Sequence, residues 1–278
     1  MAFIAANEAL LRLGGFALAL LALAAIERCW PFRDDARPAK RQLANVGLVV
    51  IDTAVLRLAF PLLAVALAIE VERNDGGLFG ALAWPGWLEI VLALLAFDLM
   101  IYWQHRLLHT IRWLWPLHRV HHSDLAIDVS TGLRFHPLEI ALSMGLKLGL
   151  VALLGPAAVA VVIFELWLSA GSLFTHADFA LPARIERGVR AVLVTPSMHR
   201  IHHSILRAET DSNYGFNLSL WDRLFGSYRA DPQRSARSMP VGLPTWRDPA
   251  ALGLTALLLQ PFRRVNRRDP AKPETPHA

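Results

Sequence analysis

Histidine is concentrated in one part of this chain. Eight of the 11 histidines lie in three short boxes, which read His105-Arg-Leu-Leu-His109, His118-Arg-Val-His121-His122 and His199-Arg-Ile-His202-His203. Neutral imidazole is the commonest metal ligand in proteins. On a helix, residues three and four positions apart share a face, so each box can direct two or three imidazoles toward one point. Eight ligands exceed the three or four that one zinc ion uses, so the pattern predicts two metal ions.

Four further polar residues stand near the boxes. His136 and His176 lie at the two ends of an apolar stretch that reads as a helical hairpin, and the ends of a hairpin are close in space. We expect His176 to be a ligand, whereas His136 is equally compatible with a ligand and with a residue at the membrane interface. Glu139 is expected to place a carboxylate near the metal. Asn213 is expected either to support the ligands as a polar group or to pack within a helical cap.

Asp98 precedes the first box within the same apolar stretch. It falls on one helical stripe with His105 and His109. An ionisable residue inside a membrane span is costly and is a functional candidate. We expect Asp98 to accept the second N–H of a ligand imidazole and so fix its tautomer. A structural ion pair with Arg106 or Arg57 is the alternative.

The composition predicts the class of fold. Hydrophobic residues make up 54% of the chain and charged residues 18%, and the mean hydropathy is +0.37. These values are typical of a protein that crosses the membrane several times. The stretches long enough to span are residues 3–26, 46–69, 87–103, 138–154 and 157–174. We therefore expect an all-α integral membrane protein with about four transmembrane helices, or three plus a helical hairpin, and a cytosolic helical cap that carries the boxes.

Charge predicts the orientation of these helices. Basic residues cluster between the first two spans at positions 28–41, whereas the following loop at 70–75 is mostly acidic. By the positive-inside rule the first loop is cytoplasmic, and counting spans from it places all three boxes on the cytoplasmic side. The first span could instead be a signal peptide, but it is long and lacks a basic start, so we expect a retained helix. The net charge of +5 is explained by the loops and the tail, and nucleic acid is not an expected partner.

The same reading divides the chain into three parts. Residues 1–96 are expected to be N-terminal transmembrane helices, and residues 97–235 a catalytic domain that includes the membrane hairpin 138–174. Residues 236–278 are expected to form an interfacial helix followed by a disordered basic tail.

The chain has a single cysteine, Cys29, which excludes a framework of disulfide bonds within it.

The order of the motifs carries a family resemblance. Residues 97–228 resemble the fatty acid hydroxylase / sterol desaturase superfamily through Asp98-x-x-x-Tyr-Trp-x-His-Arg106, Leu114-Trp-x-x-His-Arg-Val-His-His-Ser123, Arg134-x-His-Pro-Leu-Glu139, Thr195-Pro-Ser-Met-His-Arg-Ile-His-His-Ser204 and Leu220-Trp-Asp-Arg-Leu-Phe-Gly-Ser-Tyr228. This resemblance implies a membrane enzyme with a histidine-coordinated di-iron centre that uses O2 and two electrons to hydroxylate or desaturate a lipid. The ligands it implies are His105, His109, His118, His121, His122, His176, His199, His202 and His203.

The resemblance also indicates partners and leaves choices open. The sequence has a single histidine near His176, where some fatty acyl hydroxylases have a pair. No dinucleotide-binding or haem-binding motif is present, so electrons must come from a separate reductase, ferredoxin or cytochrome b5-like protein. Zinc can replace iron in a purified sample. The lipid could be a sterol or hopanoid, a fatty acyl chain, an ether lipid or a carotenoid, and the oligomeric state is not indicated. A metalloprotease is disfavoured because His-Glu-x-x-His is missing; a membrane protein that binds or transports metal without redox catalysis is the alternative.

Overall fold

The computed structural model describes residues 2–60, 62–82, 85–248 and 252–263, with side chains from residue 7 onward. The disordered tail that is expected from Arg263 onward includes His277. Apart from Arg263 itself, it lies outside the described residues. The described part contains no strand, only isolated bridges between Leu193 and Leu218 and between Ser204 and Val241. Its α-helices are α1 (Ala2–Cys29), α2 (Ala39–Ala59), α3 (Ala64–Arg73), α4 (Gly77–Gly80), α5 (Gly86–Thr110), α6 (Trp115–His122), α7 (Pro137–Leu154), α8 (Ala158–His176), α9 (Ala183–Arg190), α10 (Pro196–His202), α11 (Arg207–Thr210), α12 (Leu220–Leu224) and α13 (Leu254–Leu259).

Length and hydropathy identify the membrane part. Five helical stretches within the described residues are long and apolar enough to cross a membrane, and they are Asn7–Cys29, Ala39–Gly80, Gly86–Thr110, Pro137–Leu154 and Ala158–His176. The prediction of an all-helical membrane protein is therefore confirmed. The chain is a multi-pass membrane protein in which α8 packs against α1, α3, α5 and α10.

The second expected span is wrong in one respect. Residues 46–69 were expected to form one helix, but α2 ends at Ala59 and α3 begins at Ala64. The chain carries a proline at position 61. Phe60, which precedes it, has an extended backbone with φ −123° and ψ 108°. A residue before proline is driven out of the helical region, and proline itself donates no helical hydrogen bond.

The expected hairpin is formed by α7 and α8. Gly155 ends α7 in the left-handed region with φ 60°, and a side chain there would collide with the backbone of Gly76 and Gly77. Pro156 follows, so the chain turns within three residues. Between the hairpin and α5, the rings of Phe97 and Phe164 stack with centroids 4.8 Å apart. This packing holds the middle of α5 against α8, two helices whose C-terminal ends carry histidines.

Buried ions attach the extramembrane cap to the membrane helices. The Arg41 guanidinium on α2 donates to Asp124 and, over 2.6 Å, to Asp128. On α1, Glu27 accepts hydrogen bonds from the backbone N–H of Val129 and of Asp178, at 2.9 and 3.0 Å. These contacts tie the end of the first helix to the loops that follow the second box and His176.

The C-terminal apolar segment packs against the protein. In α13, Leu257 is fully buried in a cluster with Ala44, Leu48 and Val120. Gln260, which follows it, accepts a hydrogen bond from Ser123 next to the second box. This segment is thus a short helix that packs against α2 and against the end of α6.

Candidate metal centre

Four helices bring nine histidines to one place. The last turns of α5 and α8 supply the first box and His176. The short helix α6 supplies the second box, and α10 with its C-cap residue His203 supplies the third. Both short helices begin with a proline in the first turn, which presets the helical backbone angle. All nine imidazoles are buried, none with more than 7% of its surface exposed. Because imidazole is polar, such burial requires a partner for every ring nitrogen.

The nine imidazoles divide into two groups whose ligand atoms lie within 4.8 Å of one another. We name them the five-histidine cluster and the four-histidine cluster. The five-histidine cluster is His105, His109, His118, His122 and His202. The four-histidine cluster is His121, His176, His199 and His203.

Each of the second and third boxes serves both clusters. The rings of the neighbours His121 and His122 are inclined at 86°, and those of His202 and His203 at 87°. Adjacent residues on a helix point in directions about 100° apart, so one member of each pair faces each cluster. Across the boundary, the rings of His122 and His203 stack with centroids 4.6 Å apart. The two clusters therefore form one continuous centre.

The four-histidine cluster directs nitrogen lone pairs at one point. Nε2 of His176 lies 3.1 Å from Nε2 of His121, 3.2 Å from that of His203 and 3.0 Å from that of His199. The Nδ1 atoms of His121 and His176 lie 3.1 and 2.7 Å from backbone carbonyl oxygens, which can only accept a hydrogen bond. Each Nδ1 is then the protonated nitrogen, so the Nε2 atoms of these two neutral rings present lone pairs to each other. Such an arrangement is repulsive unless a cation lies between them.

The spacing of these nitrogens suits a metal ion. Ligand nitrogens about 2.1 Å from a metal are separated by about 3.0 to 3.4 Å in octahedral or tetrahedral geometry. The observed separations of 3.0 to 3.2 Å fall in this range. The four-histidine cluster therefore fits a metal ion by distance as well as by protonation.

The five-histidine cluster shows the same polarity. Nδ1 of His105 and of His202 contact the carbonyl oxygens of Tyr214 and Ser212, at 2.8 and 2.7 Å. The Nε2 atoms of His105, His118, His122 and His202 are buried and have no hydrogen-bond partner among the described residues. Unsatisfied buried nitrogens of this kind are rare in native proteins and are explained when an ion is bound.

Burial and mutual repulsion keep the cap histidines neutral. Burial, reinforced by the neighbouring imidazoles, holds the pKa values of His121, His122, His199 and His203 well below their ordinary value. Burial also lowers the pKa of His202, to about 3. Neutral rings offer the lone pairs that a metal needs at physiological pH. The donor set of both clusters therefore fits metal binding.

Glu139 lies beside one ligand position. Its Oε1 is 2.7 Å from Nδ1 of His118, and both side chains are buried. A carboxylate that accepts from the outer nitrogen of a ligand imidazole fixes its tautomer and raises its basicity. The structure thus gives Glu139 the position that the sequence analysis expected for Asp98.

The expectation for Asp98 is corrected by its hydrogen bonds. Its carboxylate accepts from the Asn217 side chain, the Leu218 backbone and the Trp221 indole, at 2.8, 3.1 and 2.9 Å. These groups lie in and before α12, and neither Arg57 nor Arg106 is among the partners. Asp98 therefore holds residues 217–221, which follow the third box, against the middle of α5. The sequence gives no local signal for this contact, because the partners are about 120 residues away.

His136 lies outside both clusters, which corrects its place among the candidate ligands. Its Nδ1 accepts from the N–H of Leu138, so it caps α7, and its Nε2 contacts the carbonyl oxygen of Leu258 at 3.2 Å.

Asn213 also makes its hydrogen bonds with backbone groups. It has a left-handed conformation with φ 53°, and it donates to the carbonyl oxygens of Met198 and Arg229. Asn213 therefore holds the start of α10 in place without contacting an imidazole.

Several supporting groups were not expected from the sequence. The carbonyl oxygens of Ser172, Ser212, Tyr214 and Arg134 fix ring orientation, and a backbone carbonyl leaves no residue-type signal. Arg134 also has a side-chain role: it is completely buried and donates to the Val120 carbonyl between the histidines of the second box.

Comparison with known proteins gives the family. The sequence model of the fatty acid hydroxylase family matches residues 90–227. The chain is 31% identical over 246 residues to ornithine lipid hydroxylase OlsE of Rhizobium tropici, which covers 87% of this chain and 71% of that protein. It is 30% identical over 147 residues to human alkylglycerol monooxygenase, covering 51% of this chain and 31% of that protein.

A third relative has a different activity in its name. It is very-long-chain aldehyde decarbonylase GL1-11 of Oryza sativa subsp. indica, 30% identical over 161 residues, which cover 54% of this chain and 58% of that protein. No solved structure matches the chain. The match to the family, the near-complete overlap with a lipid hydroxylase and the paired histidine clusters agree with the resemblance seen in the motifs. The chain belongs to the fatty acid hydroxylase family of membrane oxidoreductases.

Proposed function

We propose that this protein hydroxylates a membrane lipid at a di-iron centre formed by the two histidine clusters. The observation that carries the proposal is the set of inward-directed imidazole lone pairs at one end of an apolar cavity. Iron bound there supplies the redox chemistry with O2 that attack on an unactivated C–H bond requires. The balanced reaction is R–H + O2 + 2 e⁻ + 2 H⁺ giving R–OH + H2O. Hydroxylation is preferred to desaturation because two of the relatives are named a hydroxylase and a monooxygenase.

The cavity has the position and lining of a substrate site. It has a volume of about 310 Å3 and lies among α1, α2, α5, α7 and α8. Five imidazoles from both clusters line one part of it, and they belong to His105, His118, His121, His176 and His199. Phe16, Leu56, Ile101, Leu133 and Phe135 supply apolar wall. A lipid segment in this cavity would displace water from the metal centre and hold a C–H bond beside it.

The chain's own residues set the geometry. Glu139 and the carbonyl oxygens behind His105 and His202 keep Nδ1 protonated and Nε2 directed inward. Since these supports are buried and rigid, the imidazoles need little rearrangement to hold an ion.

We place the electron donor on the opposite side of the five-histidine cluster. A second cavity of about 390 Å3 reaches His109, and it is lined by Arg112, Arg119 and Arg207 and by one carboxylate, Asp211, which pairs with Arg207. A basic surface attracts an acidic donor such as a ferredoxin. This donor and the substrate would then reach the centre from different sides.

The arginine-rich loops around the cap also support a cytoplasmic location for this face of the protein.

Metal transport without redox catalysis is less well supported. A transporter needs binding groups along a path across the membrane, whereas all nine imidazoles lie at one end of the long helices. The two clusters adjoin, as expected for a centre in which two ions act together.

Comparative lipidomics of producing cells tests the proposal. Cells that make the protein together with an electron donor should accumulate a lipid heavier by one oxygen atom. The same cells with His121→Ala should not, although the protein is still inserted in the membrane. An identical lipid profile in both strains, with metal-loaded protein present, would exclude lipid hydroxylation in that host's lipids and favour metal binding alone.

A further inference from the structure

The substrate cavity contains a buried carboxyl group for which the metal centre has no use. Asp52 on α2 is 7% exposed and lines the cavity that also touches the histidines. Its Oδ1 has no hydrogen-bond partner within the described part of the chain. An ionisable side chain inside a membrane span is expensive to keep unless it serves a ligand or a partner.

The two basic side chains that line the cavity, Arg12 and Lys147, are paired with one carboxylate. Glu165 on α8 accepts from Lys147 on α7 and lies within 3.0 Å of Arg12 on α1. Those three residues form an ion-pair network that ties helices together. Asp52 takes no part in it, and within the described residues no ion pair or donor to its Oδ1 explains the presence of this carboxyl group.

A second unsatisfied acceptor belongs to another residue that lines the same cavity. Glu139 uses Oε1 to contact His118, but its Oε2 is buried without a partner among the described residues. Glu139 lies on α7 and Asp52 on α2, and these two helices pack against each other. Two residues on adjacent helices that line one cavity therefore each have a carboxyl oxygen without a donor among the described residues.

We propose that Asp52 binds the polar head of the lipid, through an ammonium or hydroxyl group that donates a hydrogen bond. This inference rests on the proposed lipid substrate and narrows it to lipids whose head group carries N–H or O–H donors. An acceptor-only head, such as a methyl ester, would leave both carboxyl oxygens unsatisfied and is selected against.

The position of the head group determines which carbon is oxidised. Asp52 and the imidazoles line the same cavity of about 310 Å3, which cannot enclose a whole membrane lipid. A lipid held by its head at Asp52 therefore presents atoms of the head group, or the first carbons attached to it, to the metal centre. The distal end of an acyl chain would remain among the apolar residues and the bilayer.

Binding to zinc-loaded protein tests this inference separately from catalysis, because zinc fills histidine sites but has no redox chemistry. The probes are an ornithine lipid with an ammonium head, an alkylglycerol with hydroxyl groups and a fatty acid methyl ester of equal chain length. Native mass spectrometry in detergent measures their relative binding. The unaltered protein should prefer both donor-bearing lipids to the methyl ester.

Asp52→Asn is the informative variant because it keeps the shape and replaces the carboxyl group by an amide. It should weaken binding of at least one donor-bearing lipid by about 10-fold, the order of magnitude of one lost hydrogen bond. The lipid with the larger loss identifies the donor as ammonium or hydroxyl, and methyl ester binding should not change. Glu70→Gln, the same chemical change on an exposed residue of α3, is the matched control and should alter none of the three.

Three results would overturn the inference. One is equal binding of all three lipids to the unaltered protein. Another is an Asp52→Asn variant that retains the head-group preference. The third is an Asp52→Asn variant that loses all three lipids equally and has a lower Tm, as expected if the carboxyl group were purely structural. If the head-group preference appears but iron-loaded protein oxidises none of the lipids, the proposed catalytic function fails and the head-group site stands.

Discussion

The two histidine clusters differ in how their ligands are supported. In the four-histidine cluster, the Nδ1 atoms of His121 and His176 contact backbone carbonyl oxygens, and the inward nitrogens are 3.0 to 3.2 Å apart. In the five-histidine cluster, His118 contacts a carboxylate, and His109 has no hydrogen bond on either ring nitrogen within the described structure. Two imidazoles of each cluster are held by the main chain, and only the second cluster has a carboxylate support. The second has a surplus ligand and a carboxylate that can be changed by substitution.

This difference indicates unequal tolerance of mutation. A site with four ligands loses a necessary group when one is removed, whereas a site with five retains four. A support made of backbone cannot be removed without moving a helix, whereas a side-chain support can. Substitutions that separate these cases will show whether the two clusters are inequivalent.

The largest effect is expected for His176→Ala compared with His109→Ala. The first variant should lose oxidation and reduce bound iron from two toward one per chain, because three imidazoles remain in its cluster. The second should retain more iron, because four imidazoles remain. Metal analysis after anaerobic loading with ferrous iron measures both, and secondary structure by circular dichroism checks folding. Greater metal loss in His109→Ala than in His176→Ala would refute the inequivalence of the clusters.

A smaller effect is expected for Glu139→Gln. An amide is a weaker acceptor for the His118 N–H, and loss of such support typically lowers metal affinity or activity by about 10-fold to 100-fold. The loss should be confined to one of the two bound ions, which iron titration followed by Mössbauer spectroscopy can resolve. Asp211→Asn is the matched control, since that carboxylate is partly exposed and lies 3.6 Å from His109. Equal loss of both ions in Glu139→Gln would contradict the assignment of Glu139 to one cluster.

Asp98→Asn should act on stability more than on metal content. The carboxylate accepts three hydrogen bonds from the segment 217–221, and an amide cannot accept all of them. We expect a loss of about 2 kcal/mol in the free energy of unfolding, because hydrogen bonds to a buried charge are stronger than average. A lower Tm with two irons still bound would agree with this. Loss of one iron at an unchanged Tm would instead return Asp98 to the metal site.

The smallest effect is expected for His136→Ala. This side chain caps α7, and removing a helix cap costs about 1 kcal/mol. Iron content and oxidation should remain close to those of the unaltered protein, so thermal melting and metal analysis on the same sample decide the matter. A loss of iron comparable to that of His176→Ala would place His136 among the ligands after all.

The sequence alone predicted the parts of this centre that depend on local spacing. The three boxes fall where helical periodicity brings side chains to one face, and His176 was expected from its place at the end of the hairpin. These nine are the residues that the structure gathers. The division of the boxes between two clusters was not predictable, because it depends on how α6 and α10 lie against each other. The bonds of Asp98 to residues 217–221 depend on contacts across the fold in the same way.

The membrane helices give the same lesson on a larger scale. Hydropathy predicted the spanning stretches and the hairpin, since twenty apolar residues and a Gly-Pro turn are local properties. It did not predict that α2 ends at Ala59. A sliding window over apolar residues averages across the proline at position 61, whose effect is on the backbone.

The central claim is that one chain holds two metal ions in adjacent, inequivalent histidine clusters. The most direct test is the iron content of purified full-length protein that is loaded anaerobically and assayed for lipid oxidation in the same preparation. The account predicts two irons per chain at full activity, with two distinguishable Mössbauer environments. Full activity at one iron per chain, or two irons in a single symmetric environment, would contradict it.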